Sequence, residues 1–132
     1  MAHPVAVQNI HHIRLTVRDV ERSQAFYMQI LGFQVARQVP YGVLLTQGSF
    51  FLGLGPPPDP THAPPADRFS EHRVGLDHLS FGVGSVAELE QAVALFDAEG
   101  ISHGEIKDIG RFFVLAFRDP DNIQLELTAP KG

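Results

Sequence analysis

The stretches His12-Ile-Arg-Leu-Thr-Val17 and His78-Leu-Ser-Phe-Gly-Val83 match position by position at a separation of 66 residues. Each stretch alternates between apolar and polar side chains, which is the pattern of a strand with one buried face. Self-similarity at a fixed spacing of this size indicates that one structural unit occurs twice in the chain. The elements of both halves can therefore be placed outward from these two strands.

A helical stretch follows each of the two strands. Apolar residues recur there at helical spacing, a short polar residue precedes each stretch, and a glycine follows it. The first helix is predicted over Val20–Leu31, with Asp19 as its N-cap. The second helix is predicted over Val86–Glu99, with Ser85 as its N-cap.

Three more strands are predicted after each helix. They cover Phe33–Val39, Gly42–Thr46 and Ser49–Leu54 in the first half, and Ser102–Lys107, Phe112–Arg118 and Asn122–Thr128 in the second. The order is βαβββ twice, which predicts an α+β fold made of two modules, residues 1–54 and 74–132. Residues 55–73 carry six prolines and are predicted to be an extended linker, either a plain tether or a lid over a site.

Composition excludes several classes of function. The net charge of −5 and the pI of about 5.7 argue against binding to nucleic acid or to an anionic membrane. No apolar run approaches the roughly 20 residues of a spanning helix, so a cytoplasmic location is the default expectation. The chain has no cysteine, which excludes disulfides, thiolate ligands and cysteine nucleophiles. A metal site would therefore use His, Asp and Glu.

The polar faces of three strands carry candidate metal ligands. Alternation places His12 and His78 opposite the apolar residues of their strands, and Glu126 on the corresponding face of the last strand. Two imidazoles and one carboxylate make up the facial triad that holds a divalent metal and leaves coordination positions open. Chance triples are common among seven histidines, and what distinguishes His12 and His78 is their matching place in the two repeats.

Four stretches carry a wider similarity: Ile10–Asp19, Phe26–Phe33, Gly75–Phe81 and Phe117–Leu127. They resemble the vicinal oxygen chelate superfamily, which includes glyoxalase I, extradiol dioxygenases, fosfomycin-resistance enzymes and bleomycin-binding proteins. The resemblance implies paired modules in a cup-shaped, barrel-like sheet with the helices outside. It also implies that His12, His78 and Glu126 hold a divalent metal ion, Fe2+ or Mn2+ ahead of Zn2+ or Ni2+. A small-molecule substrate and a homodimer, with modules of two chains building each site, are further expectations from the resemblance.

One position departs from the family pattern. Aligning Phe50–Leu54 with Ile123–Leu127 places Gly53 opposite Glu126, where relatives with four protein ligands carry another ligand. Glycine has no ligating side chain, so a three-ligand site is expected in place of the four-ligand site of glyoxalase I. The missing side chain is also expected to leave room near the metal, where Gly53 and Phe51 would contact a substrate.

Four other residues are candidates for roles at the site. Arg14 and Ser80 share the polar faces of His12 and His78 and are predicted to contact the substrate, Arg14 through an anionic group. A structural ion pair is the alternative for Arg14, which is also a catalytic candidate. His103 begins a predicted strand and is a candidate acid or base. His11 is expected on the alternate face of the strand, where it would replace its neighbour as ligand only after a register slip.

Three functions are consistent with these residues. The first is a metal-dependent enzyme that chelates a small oxygenated substrate and stabilises an oxyanion. A dioxygenase, a lyase and an isomerase are the reaction classes considered. The second is a metal-independent protein that sequesters a drug or metabolite, as the bleomycin-binding relatives do. The presence of all three ligand types argues against it. The third is metal-dependent thiol transfer to fosfomycin, which would require cationic substrate contacts that the sequence does not identify. Ligand types alone do not select the metal.

Overall fold

The computed structural model describes residues 3–132. Along the chain they divide into two compact units, with the boundary between Ala63 and Pro64. The first unit contains β1 (His12–Thr16), α1 (Val20–Gln29), β2 (Gln34–Val39), β3 (Gly42–Thr46) and β4 (Phe51–Gly55). The second contains β5 (Leu79–Gly82), α2 (Val86–Glu99), β6 (Lys107–Asp108), β7 (Phe112–Arg118) and β8 (Gln124–Pro130). The predicted α+β class with two βαβββ modules is confirmed. Within residues 3–132, no helix is long and apolar enough to cross a membrane.

Each unit builds a four-stranded mixed sheet with the same strand order. The orders are β1-β4-β3-β2 in the first unit and β5-β8-β7-β6 in the second. The first strand of each unit runs parallel to the last, and the other neighbours are antiparallel. Arg14 pairs with Gly53 in one sheet, and Ser80 pairs with Glu126 in the other. These registers confirm the predicted alignment of Gly53 with Glu126.

One face of each sheet packs against the helix of its unit. The sheets and the helices both contribute deeply buried apolar side chains, among them Tyr27, Leu45, Leu52, Leu89, Phe96, Leu115, Phe117 and Leu125. Burying one such side chain stabilises a fold by about 1.5–3 kcal/mol. A one-residue slip of any strand would turn these side chains away from the helix, so the core fixes each register. The same registers fix which residues lie on the opposite, polar face.

The ends of the helices mostly follow the predicted caps. Asp19 accepts a hydrogen bond from the backbone N–H of Arg22 at 3.1 Å, and Gly100 ends α2 in the left-handed conformation at a φ of 69°. Ser85 occupies the N-cap position of α2, but its side chain makes no cap hydrogen bond in the described structure. The Glu88 carboxylate instead accepts from the backbone N–H of Gly84 at 2.7 Å.

The two predicted strands that differ most from the structure are in the second module. The strand expected over Ser102–Lys107 is reduced to the short β6 and an isolated bridge between His103 and Phe117. The last strand begins at Gln124 and not at Asn122, because Asn122 has a φ of 67° and closes the turn by donating to the Asp119 carbonyl at 3.0 Å. Asn122 thus belongs to the turn and not to the strand.

The second half of the proline-rich segment, residues 55–73, is hydrogen-bonded to the turn between β7 and β8. Phe69 donates its backbone N–H to the Asp121 carbonyl at 3.0 Å, and Asn122 donates its side-chain amide to the Phe69 carbonyl at 3.1 Å. Arg118 donates two hydrogen bonds of 2.9 Å to the Glu71 carboxylate. These bonds with Arg118 lower the pKa of Glu71 to about 2. This part of the predicted linker is therefore an ordered part of the second unit.

Candidate metal centre

On the polar face of the second sheet, His78 and Glu126 lie side by side. His78 directly precedes β5, and Glu126 is in the centre of β8, the neighbouring strand. Nε2 of His78 is 3.4 Å from Oε1 of Glu126, with the side chains 40% and 21% exposed. Two ligands that each lie about 2.0–2.2 Å from one divalent ion are about 3.0–3.5 Å apart. The pair therefore has the spacing of two ligands of one metal ion.

The other ring nitrogen of His78 has a carboxylate partner. Nδ1 of His78 is 2.8 Å from Oδ1 of Asp77. Gln124 donates its side-chain amide to the same Oδ1 at 3.0 Å and to the Asp77 backbone carbonyl at 3.1 Å. A carboxylate on one imidazole nitrogen orients the ring and leaves the other nitrogen for a metal. The atom left in this way is Nε2, which faces Glu126.

In the first unit, His12 lies at the start of β1 beside a cavity. The cavity has a volume of about 500 Å3 and is lined by His11, His12, Ala36, Arg37, Leu44 and Phe51. Phe51 is the register partner of His12 on β4, so the sheet brings this predicted ligand and this predicted substrate contact together. Nδ1 of His12 is 2.9 Å from Nδ1 of His11.

The expected orientation of His11 is wrong. His11 precedes the first residue of β1, and its side chain does not follow the alternation of that strand. Its ring lies 5.1 Å from the ring of His12 and 5.9 Å from that of Phe51, between centroids. Both histidines therefore line the same cavity.

The remaining predicted contact of the second unit lies next to Glu126. Ser80 is the register partner of Glu126, and its hydroxyl is 2.6 Å from that of Thr128 on the same polar face. Among residues 3–132, no three side chains of His, Asp and Glu form a group that could hold a metal ion. The pairing of His78 with Glu126 is thus the part of the predicted ligand set that the second unit brings together.

Gly53 lies beside the side chain of Arg14. A Cβ placed on Gly53 would lie 3.4 Å from Cγ of Arg14 and 3.5 Å from Cδ2 of Leu44. The guanidinium of Arg14 continues along the sheet and donates to the carbonyls of Tyr41 at 3.3 Å and Pro56 at 3.5 Å. These are distances of ordinary van der Waals contact, so the expectation that Gly53 leaves room for a substrate stays a prediction.

Arg37 lines the cavity and was not among the predicted site residues. The antiparallel pairing shifts by one residue between Val35 and Arg37, which leaves Ala36 as a bulge. Because of this shift, Arg37 pairs with Leu44, which lines the cavity, and not with Val43, which is buried against the helix. No glycine or proline marks the bulge, so regular alternation would have assigned Arg37 to the wrong face.

His103 lies on the other face of the second sheet from Glu126. It bridges to Phe117, whose partner on β8 is the buried Leu125. Its Nε2 is 2.6 Å from Oδ1 of Asp97, and its Nδ1 is 2.7 Å from the Gly104 carbonyl oxygen. The hydrogen bond with Asp97 raises the pKa of His103, because both acceptors favour the doubly protonated ring.

The chain belongs to the Glyoxalase/Bleomycin resistance protein/Dioxygenase superfamily, whose family model matches residues 9–127. It is 36% identical to the uncharacterized protein YwkD of Bacillus subtilis (strain 168), over 92% of this chain and 96% of that protein. The crystal structure of a glyoxylase/bleomycin resistance protein/dioxygenase domain from Frankia sp. EAN1pec is 28% identical, with a TM-score of 0.77 and coverage of 96% and 100%.

Lactoylglutathione lyase from Agrobacterium tumefaciens has the same fold, with a TM-score of 0.72, 23% identity and coverage of 94% of this chain and 95% of the lyase. At this identity, the similarity establishes the fold alone. The name of the superfamily covers both enzymes and resistance proteins.

Proposed function

We propose that the protein is a divalent-metal-dependent enzyme that chelates a small oxygenated substrate at a site of two histidines and one glutamate. The observation that carries the proposal is the pair of His78 and Glu126, with 3.4 Å between Nε2 and Oε1. His12 is the proposed third ligand because it holds the place of His78 in the first module. Gly53 stands where a fourth protein ligand would lie, so the proposed site keeps open positions for substrate.

The side chains around His12 favour a substrate with an apolar body and an anionic group. Phe51 and Leu44 offer apolar contact in the cavity of about 500 Å3, and Arg37 offers a planar cation that pairs well with carboxylates. A bound divalent ion would act as a Lewis acid on substrate oxygens. The chain's own residues bind the substrate and orient it beside the proposed ligands. Ser80 remains a proposed substrate contact beside Glu126.

Under this proposal, Arg14 and His103 have structural roles and not the catalytic roles considered from the sequence. Arg14 uses its guanidinium on two backbone carbonyls, which favours its structural alternative over direct catalysis. His103 faces away from Glu126 and engages both ring nitrogens, which favours a structural role over acid–base chemistry.

Elemental analysis of protein purified without chelator tests the metal site. We expect one divalent ion per site in the unmodified protein, and loss of that ion in His78→Ala and in Glu126→Gln. His72→Ala is the matched control, because His72 is an exposed histidine of the same unit outside the proposed site. Stoichiometric metal in His78→Ala would contradict the proposed ligand set. Fe2+ or Mn2+ is the expected ion, with Zn2+ or Ni2+ as alternatives.

A metal-independent binding protein is the second candidate. The cavity beside Phe51 favours it, because that cavity is formed by side chains of the first unit alone. Tight ligand binding by protein freed of metal with EDTA, together with no turnover of catechols or hemithioacetals, would support this candidate over the enzyme.

We also propose that the protein acts as a homodimer, and mixing variants decides which chains build each site. His12→Ala and His78→Ala chains would each lack one ligand. If modules of two chains form a site, random mixed dimers regain metal in about a quarter of all sites. If each chain forms its own site, the mixture binds no metal. A cytoplasmic location stays a prediction.

A further inference from the structure

In each module, the residue directly before the proposed ligand histidine contacts Nδ1 of that histidine. His11 lies 2.9 Å from Nδ1 of His12, and Asp77 lies 2.8 Å from Nδ1 of His78. The two contacting residues are 66 positions apart, which is the spacing of the repeat itself. The same structural position therefore meets the same ring atom twice, although its side chain differs between the modules.

We propose that His11 and Asp77 are positioning residues that fix the Nδ1–H tautomer of the following histidine and thereby present its Nε2 to the metal. A carboxylate only accepts hydrogen bonds, so a neutral His78 donates from Nδ1 and carries its lone pair on Nε2. That nitrogen is the atom 3.4 Å from Glu126. In the first module, a neutral His11 that accepts through Nδ1 places the proton of His12 on Nδ1 in the same way.

The two positioning contacts differ in strength. Asp77 offers a charged acceptor, and Gln124 holds it through two hydrogen bonds of 3.0 and 3.1 Å. His11 offers a neutral acceptor and is held beside Phe51 by a ring contact of 5.9 Å between centroids. We therefore expect His78 to be oriented more firmly than His12, and a variant of Asp77 to weaken metal binding more than one of His11.

The role of His11 is distinguishable from that of a ligand. If His11 itself bound the metal in place of His12, then His11→Phe would abolish metal binding as completely as His12→Ala does. As a positioning residue it only lowers the affinity, and His11→Asn restores much of the loss because the amide oxygen accepts the same hydrogen bond.

The first measurement uses metal-free protein with 15N-labelled histidine, at a pH where the imidazoles are neutral. Long-range 1H–15N spectra distinguish the two tautomers, and we expect the Nδ1–H form for both His12 and His78. Asp77→Ala is expected to return His78 to the Nε2–H form that free imidazoles prefer. Asp77→Asn retains an acceptor of the same shape and is expected to keep much of the Nδ1–H form. His72→Ala is expected to change neither ring.

The second measurement is competitive Zn2+ titration of the same variants. Loss of the orienting partner is expected to lower the affinity 10–100-fold in Asp77→Ala, and less in Asp77→Asn. Because the inference rests on the proposed function, the two readouts separate their failures. Correct tautomers in a protein that binds no Zn2+ would overturn the metal site. An unmodified protein with mixed tautomers, or an Asp77→Ala variant with unchanged tautomer and affinity, would overturn the positioning role.

Discussion

Protonation of His103 is expected to stabilise the second module, and Asp97→Asn is the perturbation that removes this effect. Because Asp97 raises the pKa of His103 above its ordinary value of 6.5, the folded protein binds the proton more tightly than the unfolded chain. The stabilisation is therefore fully present below pH 6.5 and is lost as the pH rises through the folded pKa. Without the charge of Asp97, this loss should largely disappear.

The magnitude follows from the contacts of His103. A hydrogen bond with a charged partner contributes about 1.5–3 kcal/mol when it is shielded from water. The His103 side chain is only 17% exposed, but Asp97 is 66% exposed, so solvent screens the pair. We therefore expect about 1 kcal/mol of pH-dependent stability. The carbonyl of Gly104 accepts from the second ring nitrogen and keeps the ring in place.

Urea denaturation at about pH 6 and about pH 9 measures this contribution. The unmodified protein should lose about 1 kcal/mol more of its unfolding free energy between these conditions than Asp97→Asn does. Glu99→Gln is the matched control, because it removes an exposed carboxylate near the same end of α2. Parallel changes in the unmodified protein and in Asp97→Asn would refute the assigned role of the pair.

Three further predictions concern contacts in both modules. Gly55→Ala is expected to cost about 1–3 kcal/mol, because its Cβ would overlap the backbone carbonyl oxygen of Tyr41 as well as the guanidinium of Arg14. The matched Gly82→Ala, with no described heavy atom within 4 Å of its Cβ, should leave the urea midpoint nearly unchanged. Because the pKa of Glu71 is about 2, its contribution to the free energy of unfolding is present above pH 4.5 and lost toward pH 2. Glu71→Gln should therefore reduce the loss of stability at acid pH in urea denaturation, and an unchanged loss would contradict this. Arg37→Gln should weaken benzoate binding about tenfold relative to benzyl alcohol in calorimetric titration, a charged hydrogen bond being worth about 1.5 kcal/mol; equal weakening of both probes would exclude the proposed cation contact.

Much of the fold could be predicted because the sequence repeat and the alternation of apolar and polar residues indicate the same buried faces. The strand from His12 and its copy from His78 each need one face against a helix, and burial of that face fixes the register. The register then places Glu126 on the polar face without any further information. The contact of His78 with Glu126 follows directly from these constraints.

Other features depend on contacts that periodicity does not encode. The bulge at Ala36 turns Arg37 toward the cavity, and no local residue preference signals it. His11 and His78 both lie one residue before a strand, and only His78 continues the alternation of its strand. The strand expected from Ser102 is reduced to an isolated bridge at His103, whose side chain binds Asp97, a tertiary contact that the strand pattern could not reveal.

The difference between the modules lies in two cross-strand pairs, Arg14 with Gly53 and Ser80 with Glu126. A Cβ at position 53 would make ordinary van der Waals contact with the stem of Arg14, 3.4 Å from its Cγ. In the second module Ser80 is short, and Glu126 extends from β8 to within 3.4 Å of His78. A glutamate placed at position 53 would begin beside the stem of Arg14. The proposed site has three protein ligands and not four because the first module carries a glycine beside a long arginine, where the second carries a glutamate beside a short serine.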